Sequence, residues 1–353
     1  MRNLVPSAIA MLLLIVMVPE AHGDVPAHRQ DVASAAVGLV RHRLDAPDGR
    51  SAYWTSSRMR EAEPRAMILP GRLPRRAVRL RPDGPAQIVP AAGPATPEPA
   101  PRRRRPPFDN TAYRYPYPFE RFQAPGLTDY TAYPYSAVGK VFLSDALGDY
   151  VCSGAVINSD AGNVVLTAGH CATLYGIDID SAVFVPAYRG GTAPLGEWPV
   201  ESFLVPKRWE RVNDEAYDVA FYLLGSDPMT GEQVEAVTGG LGIAWNMSSI
   251  RHWHILGYPA AKPFDGEVQW TCTASQASLD TVGYRSIDPP AIGLGCDMTG
   301  GSSGGPWISG FGDTNIVNGL VAYGYRRYPK ALFGPYFGDA VGDLFACANE
   351  GSC

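Results

Sequence analysis

Thr299-Gly300-Gly301-Ser302-Ser303-Gly304-Gly305-Pro306 reads as a loop that holds a serine exposed between glycines. A serine hydroxyl attacks poorly until a neighbouring base takes its proton and nearby donors stabilise the oxyanion. The flanking glycines permit positive φ and let a substrate carbonyl approach the backbone closely. In isolation the same letters describe a flexible turn, so the decision lies upstream. Val165-Leu166-Thr167-Ala168-Gly169-His170-Cys171 is an apolar strand whose small-residue turn delivers a histidine. In Tyr217-Asp218-Val219-Ala220-Phe221-Tyr222-Leu223-Leu224 a lone carboxylate opens a second apolar strand. Acyl transfer by serine needs a base, a carboxylate that fixes the base's tautomer, and backbone donors for the oxyanion. His170, Asp218 and Ser303 supply base, carboxylate and nucleophile, and the amides of Gly301 and Ser303 supply the donors. Asp214 and Glu215 compete for the carboxylate role, but only Asp218 directly precedes the apolar strand.

The Gly301-x-Ser303-x-Gly305 spacing also fits the nucleophile elbow of α/β-hydrolases, whose chain order is serine, acid, histidine. No histidine follows Ser303, and strands do not alternate with helices. That fold is set aside. The chain instead resembles the trypsin-like, chymotrypsin-fold serine peptidases, in particular their bacterial secreted branch, with a distant similarity to glutamyl-endopeptidase-type enzymes. The resemblance rests on Cys152-Ser153-Gly154, Thr167-Ala168-Gly169-His170-Cys171, Asp218-Val219-Ala220, Gly301-Ser302-Ser303-Gly304-Gly305-Pro306 and Gly319-Leu320-Val321-Ala322-Tyr323-Gly324, and covers roughly residues 134–345. It implies two six-stranded antiparallel β-barrels with the triad in the cleft between them. It also implies a disulfide between Cys152 and Cys171 beside the catalytic histidine, and no cofactor or metal.

Working outward, the text from about residue 134 consists of short β-like runs at 137–143, 151–157, 164–167, 182–186, 219–224, 254–258, 268–272 and 317–325. Gly, Pro, Asn and Asp separate them, which indicates an all-β sandwich or barrel. Helical periodicity appears only in the last ten to fifteen residues. The six cysteines allow fifteen connectivities. Sequence neighbours suggest Cys152 with Cys171, Cys272 with Cys296, and Cys347 with Cys353.

The front of the chain has a different composition. Residues 1–23 show the charged start, apolar run and small-residue cleavage pattern of a secretory signal peptide. Residues 24–107 form a basic Pro/Ala/Arg-rich prosegment or linker, with a short helix expected around 32–43 and the remainder extended or disordered. To residue 107 there are 17 arginines against nine carboxylates, a net +8, and thereafter the net is −13. Opposite charges suit a prosegment docking on its own domain, and a solvated basic linker is the plainer alternative. The arginine run at 102–105 lacks interleaved aromatics, which argues against nucleic acid. Residues 108–133, rich in Tyr, Phe and Pro, read as an extended strap onto a peptidase domain at 134–353.

Ser302 stands where the animal digestive enzymes carry an aspartate that pairs with a new N-terminal amine, and no Ile-Val-Gly-Gly-like start occurs near 106–137. The oxyanion loop is therefore expected to form without that ion pair, and a prosegment to act by blocking the cleft or aiding folding. Asp297, six residues before Ser303, lies where trypsin selects Arg and Lys, yet glutamyl-type relatives carry Asp there without that preference. Val321, Ala322 and Tyr323 would line an apolar or aromatic pocket. His252 and His254 alternate on one strand face with no third metal ligand nearby, and are expected to be ordinary structural histidines. The reading is a secreted, monomeric serine endopeptidase acting on proteins or peptides, without stable membrane insertion after signal removal. An esterase with the same triad and an inactive binding homologue are the rivals.

Overall fold

The computed structural model describes residues 38–44, 53–71, 80, 82–92, 114–124, 129–280 and 289–350. The signal-peptide stretch, the arginine run and Cys353 lie outside these residues. Among the described residues no helix is long and apolar enough to cross a membrane.

Two sheets carry the stretches that hold His170, Asp218 and Ser303. In the first, Val138–Asp145, Gly148–Ile157, Val164–Thr167, Ala220–Leu224, Trp198–Pro206 and Ile177–Pro186 pair antiparallel in that order. Pairing of Val183 and Phe184 with Pro199 and Trp198 closes the ring into a six-stranded barrel. Val141, Val156, Leu166, Phe203 and Phe221 of these strands are all fully buried. The second half is an eleven-stranded sheet running through Tyr323–Tyr325, Ala331–Gly334, Ala291–Gly295, Trp270–Asp280, His252–Gly257, Pro306–Ser309, Ile316–Leu320 and Gly242–Trp245. Its pairs are antiparallel except where Gly242 and Ile243 run parallel to Ile316 and Val317 and where an added front strand joins Tyr323–Tyr325. Trp253 and Trp307 pack 5.5 Å apart in its core.

The expected C-terminal helical period is the helix Asp339–Glu350, whose Val341, Leu344 and Phe345 face inward. The run at 317–325 divides into two strands, because Ala322 donates its amide to Phe333 and the chain changes partners there.

The front segment departs from the helix expected at 32–43. Leu39–Arg43 is a strand on the edge of Trp198–Pro206. An unpaired sheet edge offers hydrogen bonds to five successive residues, and that tertiary gain overrides a weak local helical preference. The extended parts of the segment are likewise edge strands: Glu63–Pro64 on the first sheet, and Met67–Leu69 and Gln87–Val89 on the second. Charge complementarity accompanies them. His42 sits between Asp178 and Glu210 at 2.9 and 3.1 Å, Arg58 meets Asp149 at 3.0 Å, and Arg65 meets Asp145 at 2.9 Å. From the strap, Glu120–Gln123 pairs with Trp270–Thr273, and Tyr117 is buried.

Candidate active site

Each member of the sequence triad is placed by a neighbouring element. The buried strand Val164–Thr167 runs into the short turn Gly169–Cys171, which presents His170. Glycine is required at 169, since a Cβ there would sit 2.8 Å from the Trp209 indole. Cys171 is tied to Cys152 by a disulfide, and the Tyr222 hydroxyl donates to the Cys171 carbonyl. Ala220 pairs with Thr167, and this register carries Asp218 alongside His170. Asp218 Oδ1 accepts the His170 main-chain N–H at 2.8 Å, and its Oδ2 lies 2.8 Å from the ring Nδ1. Both side chains are fully buried. A proton held on Nδ1 leaves Nε2 as the basic nitrogen. Asp214 is engaged elsewhere, 2.5 Å from Arg208 and capping the Ala216 amide. Geometry thus selects Asp218 as the partner of His170.

The loop carrying Ser303 is stitched to itself and to the barrel. Gly301 and Gly304 have φ of +96° and +83°, which L side chains rarely adopt. Both the amide and the hydroxyl of Ser302 donate to the Thr299 carbonyl, at 3.1 and 2.7 Å. The loop is therefore closed by local bonds. Gly304 donates to the Val321 carbonyl at 2.7 Å, and Ser153 donates its amide to the Ser303 carbonyl at 2.7 Å.

Ser153 is a residue whose role the sequence reading missed. Its buried hydroxyl donates to the Gly301 carbonyl at 2.9 Å and accepts the Tyr258 amide at 2.8 Å. Its only sequence signal is its place between Cys152 and Gly154 in a motif quoted for the resemblance.

Two donors of the loop point to one carbonyl. The Gly301 amide donates to the Arg65 carbonyl at 3.0 Å, and the Ser303 hydroxyl points to the same oxygen at 3.5 Å. The buried Nε2 of His170 makes no hydrogen bond. Ser303 is only 4% exposed, so its hydroxyl is covered.

The anticipated pocket residues are dispersed in role. Asp297 is held at 2.7 Å by Arg121 of the strap. Val321 packs with Trp253, Ile255 and Trp307, and its backbone supports the Ser303 loop. Ala322 is buried, and Tyr323 stacks on Phe333 while donating to the buried Asp280 at 2.9 Å. Burial, and then the Asp280 charge, push the Tyr323 hydroxyl well above its ordinary range. The disulfides Cys152–Cys171 and Cys272–Cys296 form as expected, while the third expected pair includes Cys353, outside the described residues. Cys152, His170 and Cys171 cluster within 4.8 Å, but the two sulfurs are joined in the disulfide and offer no thiolate to a metal. His252 bonds Ser275 at 3.1 Å and His254 stacks on Phe311 at 4.7 Å.

No protein-family model matches the chain, and no curated protein matches it by sequence. Solved structures do. It is similar to the protease Anisep from Arthrobacter nicotinovorans, at 31% identity and TM-score 0.54, over 61% of this chain and 96% of that one. It is similar to the thermostable serine protease AL20 from an extremophilic microorganism, at 35% identity and TM-score 0.56, over 61% of this chain and 97% of that one. A Glu endopeptidase in complex with MPD shares the fold at 19% identity and TM-score 0.51, over 65% of this chain and 96% of that one.

Proposed function

The chain belongs to the bacterial chymotrypsin-fold serine proteases, and from that premise we propose that it is a secreted endopeptidase working through an acyl-enzyme on His170, Asp218 and Ser303. One observation carries the reading: a main-chain carbonyl of an extended peptide lies at the Gly301 amide and the Ser303 hydroxyl, between two strand edges that both bind it. A cleft that grips backbone on both sides of a carbonyl suits an internal peptide bond.

His170 Nε2 takes the proton of Ser303 Oγ as the oxygen adds to the carbonyl carbon. Asp218 holds the imidazole in the productive tautomer and stabilises its cationic form. The oxyanion that develops is met by the Gly301 and Ser303 amides, pre-aligned by the positive φ at Gly301 and by Ser153 on the Gly301 carbonyl. The proton then passes to the leaving amine, and water repeats the sequence on the ester. The basic front segment is a prosegment in this reading, and residues 1–23 direct export.

The reading is tested by fluorophosphonate labelling located by mass spectrometry. Label on Ser303, absent in Ser303→Ala, is expected, with peptide substrates cut faster than matched esters after normalisation to their uncatalysed rates. Folded protein left unlabelled both before and after the front segment is clipped by an added protease overturns it.

A further inference from the structure

We propose that residues 63–69 are a resident inhibitor of the cleft, bound with the Arg65 carbonyl at the Gly301 amide and the Ser303 hydroxyl and its guanidinium in a cation pocket formed by Asp145 and Tyr150. The proposal rests on the serine-peptidase reading above and names how that site is regulated.

The segment is bound as a strand on both sides of Ser303. Glu63 and Pro64 pair with Tyr150 and Val151, and Arg65 donates its amide to the Val151 carbonyl at 3.0 Å. Met67–Leu69 then pairs with Tyr323–Tyr325. The fit at the turn is close, since a Cβ on Gly300 would lie 2.8 Å from the Ala66 side chain.

Arg65 anchors it. One guanidinium nitrogen lies 2.9 Å from Asp145, with side chains 8% and 0% exposed, and the group sits 4.8 Å above the Tyr150 ring. A carboxylate this deeply buried needs a cationic partner, and a planar guanidinium satisfies both the charge and the aromatic face.

A peptide carbonyl beside a nucleophile is ordinarily on its way to being cut, and two features oppose that here. The Ser303 hydroxyl donates toward the Arg65 oxygen, while His170 Nε2 has no bond to it or to any other group. The base is thus disengaged from the nucleophile. The sense of the chain is the second feature. Both ladders are parallel, whereas a peptide adding to these edges in the more stable antiparallel manner would run the other way. In the resident segment the nitrogen that would have to leave, that of Ala66, lies on the path to Tyr323 in the second sheet. His170 belongs to the first barrel, next to the strand that holds Pro64. With its base disengaged and its sense reversed, the segment stays bound without being consumed.

The rate of fluorophosphonate labelling of the full chain tests this. Arg65→Glu sets two carboxylates against each other in a buried pocket, and labelling is expected to rise roughly a hundredfold, the scale of a broken buried pair. A synthetic peptide spanning residues 60–71, added in trans, is expected to slow that labelling again and to be recovered intact. Equal labelling of wild type and Arg65→Glu, or cleavage of the peptide between Arg65 and Ala66, overturns the proposal. Should Arg65→Glu fail to fold, wild type decides. A peptidyl boronic acid that takes the oxyanion donors must evict the segment and raise amide deuterium exchange across 60–71 and 148–152. Boronate binding with unchanged exchange there overturns the proposal and leaves the peptidase reading standing. Absence of both labelling and boronate binding in every form overturns the peptidase reading itself, and the inhibitor with it.

Discussion

The Ser153 hydroxyl donates to the carbonyl oxygen of Gly301 at 2.9 Å, from a strand of the first barrel to the loop that holds Ser303. The peptide unit that accepts this bond is next to the Gly301 amide, which under the proposed mechanism meets the oxyanion. Its orientation therefore depends on a side chain about 150 residues away in sequence. Ser153→Ala removes the bond and also leaves the Tyr258 amide, which donates to the same hydroxyl, without its acceptor. The expected stability loss is about 1–3 kcal/mol. Activity should fall through kcat, about tenfold, with KM little changed, because the alignment matters most as negative charge develops. Unchanged kcat in a folded Ser153→Ala enzyme removes the positioning role.

Gly304 leaves no room for a side chain. Its φ is +83°, and a Cβ would meet Thr167 Oγ1 at 2.2 Å and the Ser153 carbonyl oxygen at 2.3 Å. Gly304→Ala is expected to cost roughly 3 kcal/mol or more and to abolish labelling of Ser303. Chemical denaturation and labelling on one preparation check both; a stable, labelled Gly304→Ala protein contradicts the geometry.

Arg121 neutralises Asp297 at 2.7 Å, so the carboxylate is not free to select a basic substrate side chain. Peptide-library profiling is expected to show no Arg/Lys preference in wild type. Arg121→Ala should raise Arg/Lys cleavage relative to other sites by about tenfold, the scale of one charge-assisted contact. Strong Arg/Lys cutting by wild type, lost in Asp297→Asn, is the contrary result.

Lys140 is buried among Phe142 and Tyr188, with Glu267 at 3.7 Å. Desolvation is the leading cause that lowers its pKa from 10.5 to about 8, partly offset by Glu267. Between about pH 8 and 10.5 the unfolded chain therefore keeps a proton that the folded chain has released. Stability contributed by this group rises with pH across that window. Lys140→Met is expected to remove the rise and to stabilise the protein at pH 7 by ~1–3 kcal/mol. Denaturant midpoints of the two proteins at pH 7 and pH 9.5 measure it; identical pH slopes contradict the assignment.

The sequence singles out His170 and Asp218 because each borders a short apolar run and Ser303 because it lies among glycines, and chain order sets aside the other fold that uses a Gly-x-Ser-x-Gly loop. The strands of the first barrel were legible for a related reason, since alternation and punctuation are local. The contacts that define the state of the site are not local. The Gly301 amide and the Ser303 hydroxyl are met by the main-chain oxygen of Arg65, and a backbone carbonyl has no letter. The Arg121–Asp297 and Arg65–Asp145 pairs join residues whose proximity only the sheets create. Opposite net charges on the two parts of the chain suggested docking in general, without saying which arginine meets which carboxylate. The helix expected around 32–43 failed where it could be seen, because the free edge of Trp198–Pro206 decides the conformation of Leu39–Arg43.

The helix Asp339–Glu350 adds a matter of timing. Its Phe345 packs 5.8 Å from Phe221 in the first barrel and 6.4 Å from Trp245 in the second sheet, so one ring ties the two walls of the cleft. In chain order this helix follows every strand of both walls. A polypeptide emerging from a ribosome at roughly 5–20 residues per second therefore has Glu63–Leu69 in hand long before Phe345 arrives to fix the walls. Under the proposed inhibition, the cleft closes around a segment already synthesised before its walls are joined.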